Sequence, residues 1–549
     1  MRGNNLRFHP MKYSLFFLLL CGCSSSTFAT TYYLDPINGS LSNDGSATNP
    51  WPSLKEVIDN NLIETYEYTP LPYDPAGSQL VIKNAGAPIH AGDTLLLRDG
   101  LHGEVEIDRM YNVAIITIMA APGHTPLLAK LHLRSCRNWR LQGLDISSEP
   151  YNYYVNDKLL YIESHSWRGP ASHIEIIGCH LYSGTNSWDW TAQDWLAKVS
   201  SGIHIKGNHV LVQDNILTNV DMGITLVGDS CQAINNQVIN FSGDGMRPLG
   251  AYLLLEGNTI KNCFDVDDNH DDGIQSFNLG TYDVHHVTIR GNTIINYEDP
   301  NQPLLGPLQG MGFFDGPYNN WIVENNVVSV NHWHGITFLG AYDCQVLNNT
   351  VIDPTPDITP GASWIRIDDH KDGTPSAGCV VKNNVANQFI VDGEMSNNVV
   401  INTYPQYDAH FQAFAEYNFR LLPTSTLIDQ ADEAYAPNTD ILGISRPQGP
   451  ASDIGAYEYV SPSGNDAISH EGSIVLYPNP VTDVLVIDFT EFQTPEEVVL
   501  EIYNVQGQCL LQQKVIKNTA QLSLNISRFP TGIYVIYFNR KVLGKLVKQ

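Results

Sequence analysis

One phrase returns along the middle of the chain, and it leaves few folds open. Its first half is a glycine leading an apolar strand: Gly202-Ile-His-Ile-Lys-Gly, Gly223-Ile-Thr-Leu-Val-Gly, Gly245-Met-Arg-Pro-Leu-Gly, Gly273-Ile-Gln-Ser-Phe, Gly310-Met-Gly-Phe-Phe and Gly335-Ile-Thr-Phe-Leu-Gly. Its second half is an alternating apolar run ending on Asn215, Asn236, Asn258, Asn292, Asn326, Asn349 and Asn384, at steps of 21, 22, 34, 34, 23 and 35 residues. A period of about 22 with insertions of roughly a dozen is the signature of stacked structural units. Each unit holds two or three strands of period two and no helical period, with Gly and Asn at corners that need left-handed backbone. One unit cannot bury its inward face alone. The units must therefore stack, Asn over Asn and Ile, Val or Leu over the same, as a parallel β-coil.

Over about residues 31–459 this pattern resembles the right-handed parallel β-helix proteins. The resemblance implies an all-β chain, a right-handed parallel β-helix with a short N-terminal capping helix and a small C-terminal β-sandwich. It implies no single activity, because many chemistries share the coil.

The expected division is 1–29, a signal peptide; 30–460, the coil; 461–472, a linker; and 473–549, the C-terminal domain. Arg2, Arg7 and Lys12 precede an apolar run and the small-residue end Thr27-Phe-Ala29, as in a secretory leader. Leu20-Cys-Gly-Cys23 is an imperfect lipoprotein box, which would put a lipid on Cys23. Without the leader, 27 basic face 58 acidic residues, a net charge of −31, and the segment from Ser473 carries six acids against seven bases. The coil thus holds almost all the negative charge, and nucleic acid is excluded as a natural partner. A monomer is expected. Seven cysteines follow the leader without a CxxC pair, and their apolar settings predict buried thiols. Ser53-Leu-Lys-Glu56 is a capping box and predicts a short helix over the open end of the coil.

The register says where chemistry should lie. The residue after each leading glycine points inward, so the next points outward. That outward column reads His204, Thr225, Arg247, Gln275, Gly312, Thr337 and Arg366. Such a column, rising about 4.8 Å per rung, suits a linear polar chain. Just before the glycines stand Ser201, Met222, Asp244, Asp272, Gln309 and His334. The loops feeding them are unusually charged: Asp265, Asp267, Asp268, Asp271 and Asp272 in one, His332, Trp333 and His334 in the next, and Lys371 within Asp368-Asp-His-Lys-Asp372. The acidic loop is read three ways: a solvated run, a Ca²⁺ site from Asp265, Asp267, Asp268 and Asp272, or catalytic carboxylates.

Two mechanisms fit. In a lyase, a base takes the proton beside a uronate carboxylate that arginine or Ca²⁺ neutralises, with Arg247, Arg366, Lys371 or His334 as base or clamp. In an inverting glycosidase, a carboxylate pair acts, either Asp244 with Asp272 or Asp271 with Asp315. His204, Gln275, Asp315, His332, Trp333 and Thr337 are the expected substrate contacts. The phrases around Asp244 and Asp271-Asp272-Gly273 resemble acidic strand openings of calcium-using β-helix lyases, such as the family-nine pectate lyases, and aspartates of polygalacturonases. No lysine stands where those lyases place their base, and the Asn-Thr-Asp and Gly-His-Gly phrases of polygalacturonases are missing. The lyase of an acidic polysaccharide is preferred for its arginine column, with the hydrolase, a uronate epimerase and a non-catalytic carbohydrate-binding coil as alternatives.

Past Asn398 the repeat fades, and strands near 474–480, 486–489, 500–507 and 530–536 alternate as in a sandwich. This tail resembles the C-terminal sorting domain of the type IX secretion system of Bacteroidetes. The resemblance implies export to the cell surface or release, with the secretion machinery as a partner.

Overall fold

The computed structural model describes residues 29–461, apart from 152, 153, 155, 156, 279, 281–283 and 359, and most of 475–548. The expected leader up to residue 28 and the expected linker from 462 lie outside the described residues.

A full rung contributes three strands, as in Ser201–Lys206, Asn208–Gln213 and Ile216–Val220. The middle strand joins a 15-stranded sheet, and the first and third join a 21-stranded sheet that turns a corner of the coil. Neighbouring rungs pair parallel and in register, with Ile203 beside Ile224, Ile224 beside Met246 and Met246 beside Ile274. These inward residues are buried. Each such Ile or Met contributes about 1.5–3 kcal/mol through removal from water.

The asparagines form one continuous ladder. From Asn215 to Asn384, each backbone N–H and each Nδ2 donates to the Oδ1 of the asparagine one rung on, at 2.8–3.1 Å, and the series ends on Asn398. The second Nδ2 proton goes to a backbone carbonyl, such as Ile176 O for Asn215 and Leu255 O for Asn292. A primary amide is the one short side chain that can accept from the rung beyond and donate to two partners.

Both ends of the coil are closed. The helix Leu54–Asp59 has the expected capping box and buries Leu54, Val57 and Ile58 at the N-terminal end. At the other end a second core forms around Tyr407, Phe411, Phe419 and Leu427. A strap, residues 425–459, then runs back along the rungs and is tied to Asn325, Asn348 and Asn383 of the coil. Within the strap Arg446 is buried against Glu458 at 3.0 Å.

Cys136, Cys179, Cys231, Cys263, Cys344 and Cys379 are buried free thiols, as the sequence suggests. The C-terminal strands form a three-stranded and a four-stranded antiparallel sheet around their own core, which includes Leu485, Ile487, Ile502 and Ile536.

Candidate active site

The strand register carries the outward column as one line. His204 pairs with Thr225, Thr225 with Arg247, Gln275 with Gly312, Gly312 with Thr337 and Thr337 with Arg366. Arg247 falls beside Gln275 because Met246 pairs with Ile274. The same line continues upstream through Tyr161, His132 and Glu106. The expectation of an exposed face needs correction, however. Thr225, Gln275 and Thr337 are buried, at 6%, 9% and 0% exposure, whereas the Arg247 and Arg366 side chains are 22% and 29% exposed. The column is the floor of a trench, and Thr337 in its middle is covered by His334 of its own strand and Trp364 of the strand beside it.

A repeated brace links the strand-opening residue to the floor three places on. Asp244 Oδ2 accepts from Arg247 Nε at 2.5 Å, Asp272 Oδ2 from Gln275 Nε2 at 3.0 Å, and His334 Nδ1 lies 3.0 Å from Thr337 Oγ1. The braces are themselves joined, since Asp244 Oδ1 accepts the backbone N–H of Asp272 at 3.0 Å. Gly312 makes room for this arrangement. A Cβ there would stand 2.2 Å from Asp272 Oδ1 and 2.5 Å from the Phe314 ring.

Both aspartates are sealed from solvent, with side-chain exposure of zero. Burial pushes Asp244 upward, and the Arg247 guanidinium at 2.5 Å opposes that push. Burial raises Asp272 to about 6, opposed by the hydrogen bond from His270 at 3.1 Å. That bond raises His270 above its ordinary value against the pull of burial. The His270 side chain is 57% exposed. It therefore presents Nε2 outward with a buried carboxylate behind Nδ1, an arrangement suited to proton transfer near neutral pH.

Asp271 points elsewhere. Burial pushes it up to about 8, opposed by the Cys263 thiol 3.4 Å away and reinforced by Asp244, Asp265 and Asp267, so it stays protonated at neutral pH. Neither proposed carboxylate pair can reach a substrate as an inverting pair. Asp244 and Asp272 are spent on internal partners, and Asp271 is buried while Asp315 is ion-paired to Lys371 at 2.9 Å on the exposed rim. Lys371 is thereby a rim residue, and its Nζ lies 5.9 Å above the Phe314 ring.

The far half of the trench is aromatic. His332 stacks on His334, Trp364 meets His334 edge-on, and Phe314 meets both His270 and His334. Trp333, 41% exposed, lies parallel to Trp364. Burial lowers His332 to about 4 and His334 to about 3, with Arg366, His332 and His270 adding to the latter. Thr337 Oγ1 accepts from Trp364 Nε1 and keeps a proton of its own that it can give to His334 Nδ1, the pairing that goes with a His334 proton on Nε2. His334 is thus a neutral donor and a poor base. Arg366 is held by Asp368 and covers the Trp364 ring at 5.4 Å. At the near end, burial and the charges of Lys158, Lys206 and Arg247 lower His204 to about 4.

The expected calcium ligands do not form a ligand set. Among the described residues no group of three or more His, Cys, Asp or Glu side chains is disposed to hold a metal ion. Asp272 is engaged with His270 and Gln275, and its other oxygen is buried facing Gly312. Asp265 packs against Gly306 instead.

Three participants escape a reading by strand register: His270, Phe314 and Trp364. Trp364 pairs with His334, a strand-opening residue, across a bulge, and the bulge displaces it from the glycine phrase. His270 sits in a loop, two residues before Asp272, where alternation has no force.

Residues 159–404 match the family of the right handed beta helix region, and residues 475–549 match the secretion system C-terminal sorting domain. The second match makes this an exported protein, held at the cell surface or released. Similar solved structures include pectate lyase Pel9A, 14% identical with a TM-score of 0.40, covering 78% of this chain and 96% of that one. A GH136 lacto-N-biosidase from Eubacterium ramulus is 14% identical with a TM-score of 0.36, covering 68% of each chain. The A-module of the mannuronan C-5 epimerase AlgE6 from Azotobacter vinelandii is 12% identical with a TM-score of 0.38, covering 56% of this chain and 91% of that one. The sequence matches no curated protein.

Proposed function

We propose that the trench is the active site of an exported polysaccharide lyase that cleaves a uronate-containing chain by β-elimination. The observation that carries this reading is Arg247. Its Nε is tied to buried Asp244, while Nη1 and Nη2 have no hydrogen-bond partner among the described residues and the side chain reaches the trench. A guanidinium fixed at one edge and open at the other suits a carboxylate.

On the adjacent rung stands the His270–Asp272 pair. In the proposed step Arg247 binds the uronate carboxylate and so acidifies the neighbouring C5–H. His270 Nε2 takes that proton, the freed electron pair forms the C4–C5 double bond, and the C4–O bond breaks. The leaving oxygen accepts a hydrogen bond from His334 Nε2–H and takes its proton from the imidazolium formed on His270. Asp272 holds His270 in orientation and steadies its positive form. No step passes through a cation.

The test is incubation of the exported chain with pectate, alginate and glucuronan, recording the ultraviolet band of an unsaturated uronate. New absorbance that disappears in Arg247→Ala and His270→Gln supports elimination. New reducing ends without that band would replace it by hydrolysis, and neither product on any of the three polymers would refute the reading.

A further inference from the structure

A second recess lies on another face of the coil, under the strap. Its volume is about 630 Å³, and it is walled by Glu256, Arg290 and Glu324 on the rungs, by Gly257 and Gly291 at the turns, and by strap residues 436–443. Roughly 300–1,000 Å³ is the usual range for small-ligand sites.

The recess is built by an interruption in a ladder. The turn position after this sheet is left-handed on the rungs that carry the recess and those beyond it: Asn235, Gly257, Gly291, Asn325, Asn348 and Asn383 have φ between 52° and 67°. Asparagine serves that backbone at 235 and 325, so the backbone alone does not require glycine at 257 and 291, although a Cβ on Gly257 would stand 2.5 Å from Asn235 Oδ1. What glycine changes is space, since two successive rungs lose the side chain and clear a height of about 10 Å, two strand spacings. A Cβ on Gly291 would meet nothing closer than Gly257 N at 3.9 Å. The strap roofs the gap, fixed at one end by Asn325 Nδ2 to Thr439 O at 2.7 Å.

The chemistry inside differs from that of the trench. Glu256, Arg290 and Glu324 stand side by side on three rungs, with Arg290 bonded to Glu256 at 2.9 Å. Glu324 is half-buried, and its carboxylate has no hydrogen-bond or ion-pair partner among the described residues, while its carbonyl accepts from Gly291 N–H at 3.1 Å. Three carboxylates, those of Glu256, Glu324 and the strap's Asp440, against one guanidinium repel an acidic sugar, and the arginine between the two glutamates repels a metal ion. Carboxylate oxygens do suit hydroxyl groups, and Leu442, 49% exposed, offers an apolar wall for a C–H face.

We propose that this recess binds a neutral sugar ring, apart from the acidic chain assigned to the trench. The test titrates the full exported chain with methyl glucoside, galactoside, mannoside and xyloside, and with galacturonate, by saturation-transfer NMR. At least one neutral glycoside should bind, and in Arg247→Ala, whose trench lacks its carboxylate clamp, it should bind in preference to galacturonate. Gly291→Asn should weaken it at least tenfold at an unchanged melting temperature, because asparagine already occupies this backbone position at neighbouring rungs, and Glu324→Gln should weaken it severalfold. Arg247→Ala should leave it unaltered. Failure of all four glycosides to bind, or binding that survives both recess variants, overturns the proposal, as does loss of binding in Arg247→Ala. Elimination by the trench is measured separately, so either site can fail without the other.

Discussion

At one corner of the coil asparagine stands on asparagine from 215 to 398; at the corner that opens the trench strands the same stacking holds Ser201, Met222, Asp244, Asp272, Gln309 and His334. Both positions are mostly polar, yet only the first repeats itself. In the ladder every group satisfies its counterpart one rung on, so any rung is interchangeable with its neighbour. At the trench, Asp244, Asp272 and His334 reach three residues along their own strand to Arg247, Gln275 and Thr337. Uniformity therefore marks structure, and its loss at a fixed position marks chemistry. Buried Oδ1 atoms of Asp271 and Asp272 lack a hydrogen-bond partner, whereas the asparagine ladder bonds continuously.

The contrast can be broken most severely at Arg247. Arg247→Ala should lower kcat/KM about a thousandfold, roughly 4 kcal/mol of transition-state stabilisation, read by the unsaturated-uronate assay; an unimpaired variant would remove the trench from the reaction. Asn292→Ala should do the reverse. It leaves backbone and amide partners on two rungs unmet and should cost about 3 kcal/mol in denaturant unfolding, while activity per folded molecule is kept. Loss of activity there without loss of stability would erase the distinction between the corners.

His270→Gln should cost about a hundredfold in kcat with little change in stability, since the side chain is mostly exposed. The pH profile sharpens the point further. His270 must be neutral to act as base, and Asp272 holds its pKa above 6.5, so the rate should climb as pH rises through that raised value. Asp272→Asn removes the interaction and should move the limb to lower pH. Stability runs the other way: the raised pKa contributes fully below about 6.5, and the contribution fades as pH rises through the folded value. The smallest expected effect is that of a chelator. Activity should be unchanged by it, and a chelator-sensitive rate would show that the acidic loop rearranges around a cation.

Much of this was legible in the chain. Period two and the 22-residue step place Arg247, Gln275, Thr337 and Arg366 in one column, because parallel strands in register cannot do otherwise. Ser53 and Glu56 gave the capping helix for an equally local reason. What alternation cannot say is how deep the column lies. Thr337 points outward yet is sealed by Trp364, which reaches it across a bulge, and by His334, three residues earlier on its own strand. Nor does it reveal that both oxygens of Asp244 and Oδ2 of Asp272 are engaged inside the protein, since that depends on which neighbour each carboxylate reaches first. His270 owes its role to a loop conformation that no repeat specifies.

The strap has a last consequence, for the way the molecule comes apart. A coil of stacked rungs ordinarily frays from whichever end is looser. Here the segment after Leu421 doubles back and is sewn to rungs at Asn325, Asn348 and Asn383, so the final turns cannot peel off until those stitches are released. Melting should therefore start at the end capped by the helix Leu54–Asp59, and a nick in the strap should reverse the direction in which the spring unwinds.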